Sequence, residues 1–154
     1  MDKLYTASVT ATGGRNMDKL YTASVTATGG RNGKVVSDDG ILNLDVKMPK
    51  ALGGAGGEAT NPEQLFAAGY AACFDSALQL VIRTKRMKVE STEVTAHVSI
   101  GKDTDGGFGL SAVLDVHVAG VSHSEAKELV EAAHGVCPYS KATRGNIEVT
   151  LNVR

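Results

Sequence analysis

Residues Asn61–Phe74 read NPEQLFAAGYAACF. They open as a helix opens. Thr60 or Asn61 can cap, Pro62 suits the first helical position, and Glu63 suits the positive end of the helix dipole. The stretch then turns small and apolar, as a closely packed helix does. The helical pattern continues to about Met87, with Leu65, Phe66, Gly69, Ala72, Cys73, Ala77 and Leu80 on one stripe. Cys73 lies inside this helix and is one of two cysteines in the chain. It is either an inert core filler or a protected nucleophile.

Upstream, Leu20–Ala27 alternates with period two and reads as a strand. Gly29-Gly30-Arg31-Asn32-Gly33 is a turn, Lys34–Ser37 a short return strand, and Ile41–Met48 a third strand. The GGAGG segment within Pro49–Thr60 is a flexible loop leading into the helix. Downstream, Thr92–Ile100 and Leu110–Val118 alternate cleanly around Asp103–Gly107 and form a hairpin. Ser122 with Glu125 reads as a capping box for a helix to about Val136. That helix breaks at Cys137-Pro138, a polar loop spans Tyr139–Gly145, and Ile147, Val149, Leu151 and Val153 mark a closing strand. The order is βββ–α–ββ–α–β. This is an α+β pattern with antiparallel sheets covering helices, and neither half shows an obvious βαβ nucleotide-binding unit.

Residues 1–16 recur unchanged as residues 17–32. Two identical copies do not make a solenoid, which needs at least three repeats. The first copy (1–16) is read as a duplicated segment and 17–154 as the domain. The formal net charge of −1 offers no basic surface for nucleic acid. The longest mostly apolar segment, Leu65–Phe74, falls short of the ~20 residues of a membrane span. The amino terminus lacks signal-peptide architecture, so cytoplasm is the expected compartment. There a functional cysteine pair is more often catalytic or redox-active than structural.

Cys73 lies about three turns into its helix, where the dipole does little for a thiolate and an apolar setting raises the pKa. Taken alone, it fits an inert core thiol, and reactivity requires a cation from elsewhere. Cys137, at a helix end, is either reachable or a buried end-cap thiol. A core cysteine with a helix-end cysteine suits a pair in which one sulfur reacts and the other resolves it. Arg31 is either a solvated turn arginine or a guanidinium aimed inward, and Glu63 is a first-turn residue that could orient it. Glu63 and Cys73 are about 15 Å apart along a straight helix. Arg31 must bridge part of that gap, or the helix must bend, with Gly69 the natural point, or a second subunit must contribute. His97 and His117 lie on outward faces of the hairpin, opposite each other across it. With no HExxH or Cys-His cluster, a zinc site is not expected. GGAGG lacks the phosphate-binding patterns, and Arg83, Lys85, Arg86 and Lys88 read as a solvated helix end.

The segments GGAGGEATNPEQLFAAGYAACF and VCPYSKATRGNIEVTLNV together closely resemble the organic hydroperoxide resistance proteins, within the larger OsmC/Ohr family named for osmotically inducible protein C. The resemblance covers essentially all of Met17–Arg154. It implies an OsmC-like fold, with antiparallel sheets packed around central helices in an intertwined homodimer whose active sites lie at the subunit interface. It implies a thiol peroxidase for organic and fatty-acid hydroperoxides that needs no metal, haem or flavin and is recycled by dihydrolipoyl groups on a lipoylated protein. By resemblance, Cys73 is the peroxidatic cysteine, Cys137 the resolving one, Arg31 the arginine that holds the thiolate, and Glu63 its carboxylate partner. Arg15 occupies the same local sequence as Arg31; Arg31 is favoured because its turn runs directly into Gly33–Met48. The competing class is a non-enzymatic redox sensor or binding protein that uses the same disulfide.

Overall fold

In the computed structural model, which describes residues 17–154, the chain forms two three-stranded sheets and three α-helices. The first sheet is an antiparallel meander of β1 (Val25–Thr28), β2 (Gly33–Ser37) and β3 (Asn43–Val46). The β1–β2 turn depends on glycine. A Cβ on Gly33 would lie 1.8 Å from the Thr28 carbonyl oxygen, and Gly29 and Gly30 both take positive φ. This close turn carries Arg31.

The strand expected from Leu20 begins only at Val25. Val25 pairs with Ser37, the last residue of β2, and the chain then turns at Asp38–Gly40. Residues before Val25 therefore have no strand opposite them, and Leu20 is 98% exposed. The third strand is likewise shorter than Ile41–Met48. Arg15 and the first sequence copy lie outside the described residues.

Helix α1 (Pro62–Lys85) starts as its sequence dictates. The Asn61 side chain accepts the Gln64 amide at 2.8 Å, Pro62 occupies the first turn, and Glu63 is its acidic residue. The helix stops at Arg86, whose φ of 54° is left-handed. Its buried face is Tyr70, Phe74, Ala77, Leu78 and Val81, with Phe66, Cys73 and Ile82 at its margin. This departs from the expected stripe, since Ala72 and Leu80 face outward. A helix apolar on most sides does not specify which side meets the sheet. The apolar part of α1 runs further than Leu65–Phe74. By length and composition alone α1 could cross a membrane, since an 18-residue window within it has a mean hydropathy of 1.5. Tyr70, Phe74 and Leu78 are nonetheless sealed within the protein core.

The second sheet pairs β4 (Ser91–Lys102) antiparallel with β5 (Phe108–Ala119) in a long hairpin. Ala112, Leu114, Val116 and Val118 of β5 point into the core, as the alternation requires. Helix α2 (His123–Val136) opens on the predicted box: Ser122 accepts the Glu125 amide, and the Glu125 carboxylate accepts the Ser122 amide. The polar loop expected after Cys137 contains a short helix, α3 (Pro138–Thr143). The closing strand, β6 (Glu148–Val153), departs from the antiparallel expectation by joining β5 in parallel. Parallel neighbours need a crossover, and α2 with α3 supplies it.

Candidate active site

The Arg31 turn reaches the first turn of α1. Nη1 and Nη2 of Arg31 donate to Oε2 and Oε1 of Glu63 at 2.9 and 2.7 Å, forming a two-pronged ion pair. The guanidinium holds the Glu63 carboxyl below its usual range, against a smaller opposing effect of burial. The hydrogen bond to Glu63 likewise raises Arg31. Among the described residues, Arg31 makes no hydrogen bond to Cys73.

The two sulfurs meet further along α1. Cys137 ends α2 and caps α3, and its Sγ lies 3.8 Å from Cys73 Sγ, both thiols being free. Of the two readings of Cys137, the structure shows the buried end-cap thiol, and Cys73 is not sealed as a core filler would be. Cys73 is half-buried, whereas Cys137 has no exposed surface. The reason is α3, which packs against both α1 and α2 and encloses Cys137 between them. Cys73 instead lies at the margin of the buried face of α1. Burial pushes the Cys73 thiol up; the Tyr139 backbone draws it down, and the neighbouring Cys137 adds a smaller upward push.

Aromatic rings gather near the sulfurs. Phe66, Tyr70 and Tyr139 form a triangle with centroids 5.8 to 6.4 Å apart. Gly69 makes room for it, because a Cβ there would lie 2.7 Å from the Tyr139 hydroxyl. Tyr70, Ser140 and Thr143 share a buried set of hydroxyl hydrogen bonds that also engages His134. None of Tyr70, Tyr139, Ser140, Thr143 or His134 stands out as a site residue from the sequence. The signal pointing to two of them is that Tyr70 and Tyr139 are aromatic residues close to the cysteines, with hydroxyls that need partners if buried.

The two histidines do not face each other. His117 is opposite Glu93, while His97 reaches Asp115 at 2.9 Å. Among the described residues, no group of three or more His, Cys, Asp or Glu side chains is arranged to hold a metal ion.

Fold and site define an α+β protein with a paired-thiol centre and an arginine–carboxylate pair at the start of the same helix. The family model described as OsmC-like protein matches residues 54–152. The chain belongs to this family. It is 65% identical over 152 residues to the organic hydroperoxide resistance protein OhrA of Bacillus subtilis, covering 97% of this chain and 96% of that protein. Against the organic hydroperoxide resistance protein of Xanthomonas axonopodis pv. citri, identity is 51%, covering 97% of this chain and 94% of that one. The crystal structure of an organic hydroperoxide resistance protein from Elizabethkingia anophelis superposes with a TM-score of 0.85 at 58% identity, covering 89% of this chain and 98% of that one. A relative from Vibrio cholerae, solved with captopril in one of its active sites, has a TM-score of 0.84 at 48% identity, covering 90% of this chain and 95% of that one.

Proposed function

We infer that the protein acts in organic hydroperoxide resistance as a cysteine-based peroxidase. The observation that carries this reading is the 3.8 Å approach of a half-buried thiol and a sealed one. A disulfide needs a sulfur separation of about 2.05 Å, so a small movement joins them. In the proposed cycle, the Cys73 thiolate attacks the distal peroxide oxygen. A sulfur–oxygen bond forms, the oxygen–oxygen bond breaks, and the alkoxide leaves as alcohol after taking a proton. Cys137 then attacks the sulfenic sulfur, giving a disulfide and water. The disulfide is returned to two thiols by a dithiol reductant, in this reading the dihydrolipoyl group of a lipoylated protein. The cycle requires no metal, haem or flavin. The apolar surroundings of Cys73 favour greasy peroxides, because an alkyl chain gains ~0.8 kcal/mol per buried CH₂.

In this reading Glu63 orients Arg31, and Arg31 supplies positive charge to the Cys73 thiolate. With Arg31 bonded to Glu63 within the chain, that last contact comes from a movement of the Arg31 turn or from the second subunit. A homodimer is part of the reading. The first sheet leaves Val25 and Leu44 exposed, as is Ile41 in the β2–β3 connection, and a lone three-stranded meander gains little stability without a covered face. The relative with more than one active site fits such an assembly. The compartment is taken as cytoplasmic, where thiols are kept reduced.

The test is turnover of tert-butyl hydroperoxide with dihydrolipoamide. Wild type should turn over repeatedly, Cys73→Ser should be inactive, and Cys137→Ser should complete about one turnover and stall. Equal activity of Cys73→Ser and wild type would refute the assignment. A protein that forms the disulfide but never turns over with a thiol reductant would instead be a redox sensor.

A further inference from the structure

One buried hydrogen-bond network lies beside the Cys137 sulfur. Ser140 Oγ is its centre, 2.8 Å from His134 Nδ1 and 2.9 Å from the Tyr70 hydroxyl. Tyr70 continues to Thr143 Oγ1 at 3.1 Å, and that hydroxyl donates to the Ser140 carbonyl oxygen. Tyr70 and Ser140 have no exposed surface, and Thr143 is nearly as buried. No buried side-chain polar atom among the described residues is left unpaired. Loss of one member would therefore strand another away from water.

Tyr70 precedes Cys73 by about one helical turn on α1. His134 and Ser140 lie three residues before and three residues after Cys137. The Ser140 amide donates to Cys137 Sγ at 3.5 Å, and the Arg144 guanidinium donates to the His134 carbonyl oxygen. The network thus ties α1, α2 and α3 together at the level where the two sulfurs face each other. Among the described residues, none of its side chains hydrogen-bonds the Cys73 sulfur, so its grip is on the partner thiol and on the helices.

We propose that Tyr70, Ser140 and His134 are positioning residues for disulfide formation: they hold Cys137 against Cys73 so that the sulfenic acid is captured before a second peroxide reaches it. The proposal rests on the reading of Cys73 as the oxidised sulfur and Cys137 as its resolving partner. In the productive step, the sulfur–sulfur bond forms as the sulfenic sulfur–oxygen bond breaks. The departing hydroxide and the Cys137 thiol proton leave as water. In the competing step, a second hydroperoxide transfers an oxygen to the sulfenic sulfur, giving sulfinic acid and a second alcohol. The network controls which step wins, because bond formation depends steeply on the placement of the reacting atoms.

The experiment follows Tyr70→Phe, Ser140→Ala, His134→Asn and His134→Leu after mixing with tert-butyl hydroperoxide, by stopped flow and intact mass. Tyr70→Phe keeps the ring and removes only the hydroxyl, so it tests the network even if Ser140→Ala fails to fold. Peroxide attack on Cys73 should stay within about two-fold of wild type, while disulfide formation slows roughly ten-fold or more. The ratio of sulfinic acid to disulfide should rise in step. His134→Asn, which restores a polar partner for Ser140, should recover the wild-type ratio better than His134→Leu. Wild-type disulfide rates and ratios in Tyr70→Phe and in folded Ser140→Ala would overturn the proposal. If Cys137→Ser yields no dimedone-trapped sulfenic acid at Cys73, the underlying reading of the site fails instead.

Discussion

The Cys73 sulfur lies where burial disfavours its charged form, and the Arg31 guanidinium is engaged with Glu63. Burial leaves less thiolate at neutral pH than an exposed thiol would carry. In Cys137→Ser, alkylation of Cys73 by iodoacetamide should climb with pH and bend above the ordinary thiol value while Arg31 stays on Glu63. A bend well below that value, lost when Arg31→Ala is added, would mark the guanidinium over the sulfur. Glu63 carries the opposite sign. Its carboxyl is lowered by Arg31, so the stabilisation from the pair is complete above the ordinary carboxylate range. It is lost as pH falls through the depressed value.

Among the elements, α1 and α2 owe their first turns to local chemistry. Asn61→Ala and Ser122→Ala should each cost about 1 kcal/mol in urea unfolding, because each leaves helix amides without their side-chain acceptor. Such caps are legible in the sequence for the same reason: donor and acceptor lie three residues apart, and nothing distant decides the outcome. The β4–β5 hairpin is legible through its alternation of Val94, Ala96 and Val98 with polar neighbours. The direction of β6 is not, since Val149, Leu151 and Val153 alternate identically in a parallel and an antiparallel strand. Helix α3 is hidden by its brevity, and with it the burial of Cys137. The Arg31–Glu63 pair can be suggested by residue type, but its geometry depends on how the glycine turn folds back on α1. The tie between Tyr70 and Ser140 spans 70 residues of chain and leaves no periodic trace.

At the scale of the whole molecule, the outer face of the second sheet is held by Asp115. Its carboxylate accepts from Asn152 at 2.9 Å on β6 and meets His97 on β4 and Arg154 at the chain end. The Asn152 hydrogen bond, then those of His97 and Arg154, bring Asp115 from its ordinary 3.8 to about 2. Its contribution is therefore fully present above the unfolded value and disappears as pH falls from about 4 towards 2. Asp115→Asn should flatten the acid limb of stability over that interval, measured as the urea midpoint against pH; an unchanged slope would assign the acid sensitivity elsewhere. The sheet's inner face, meanwhile, supports the helices that carry the sulfurs, and there the unequal burial of the two thiols has a kinetic meaning. Of the two, only Cys73 meets solvent in the dithiol protein. In the proposed cycle, the oxidant that removes electrons and the donor that restores them both arrive at this one sulfur, in alternation. A molecule lodged over it therefore arrests both half-reactions together, and raising the concentration of either substrate delays the other's turn.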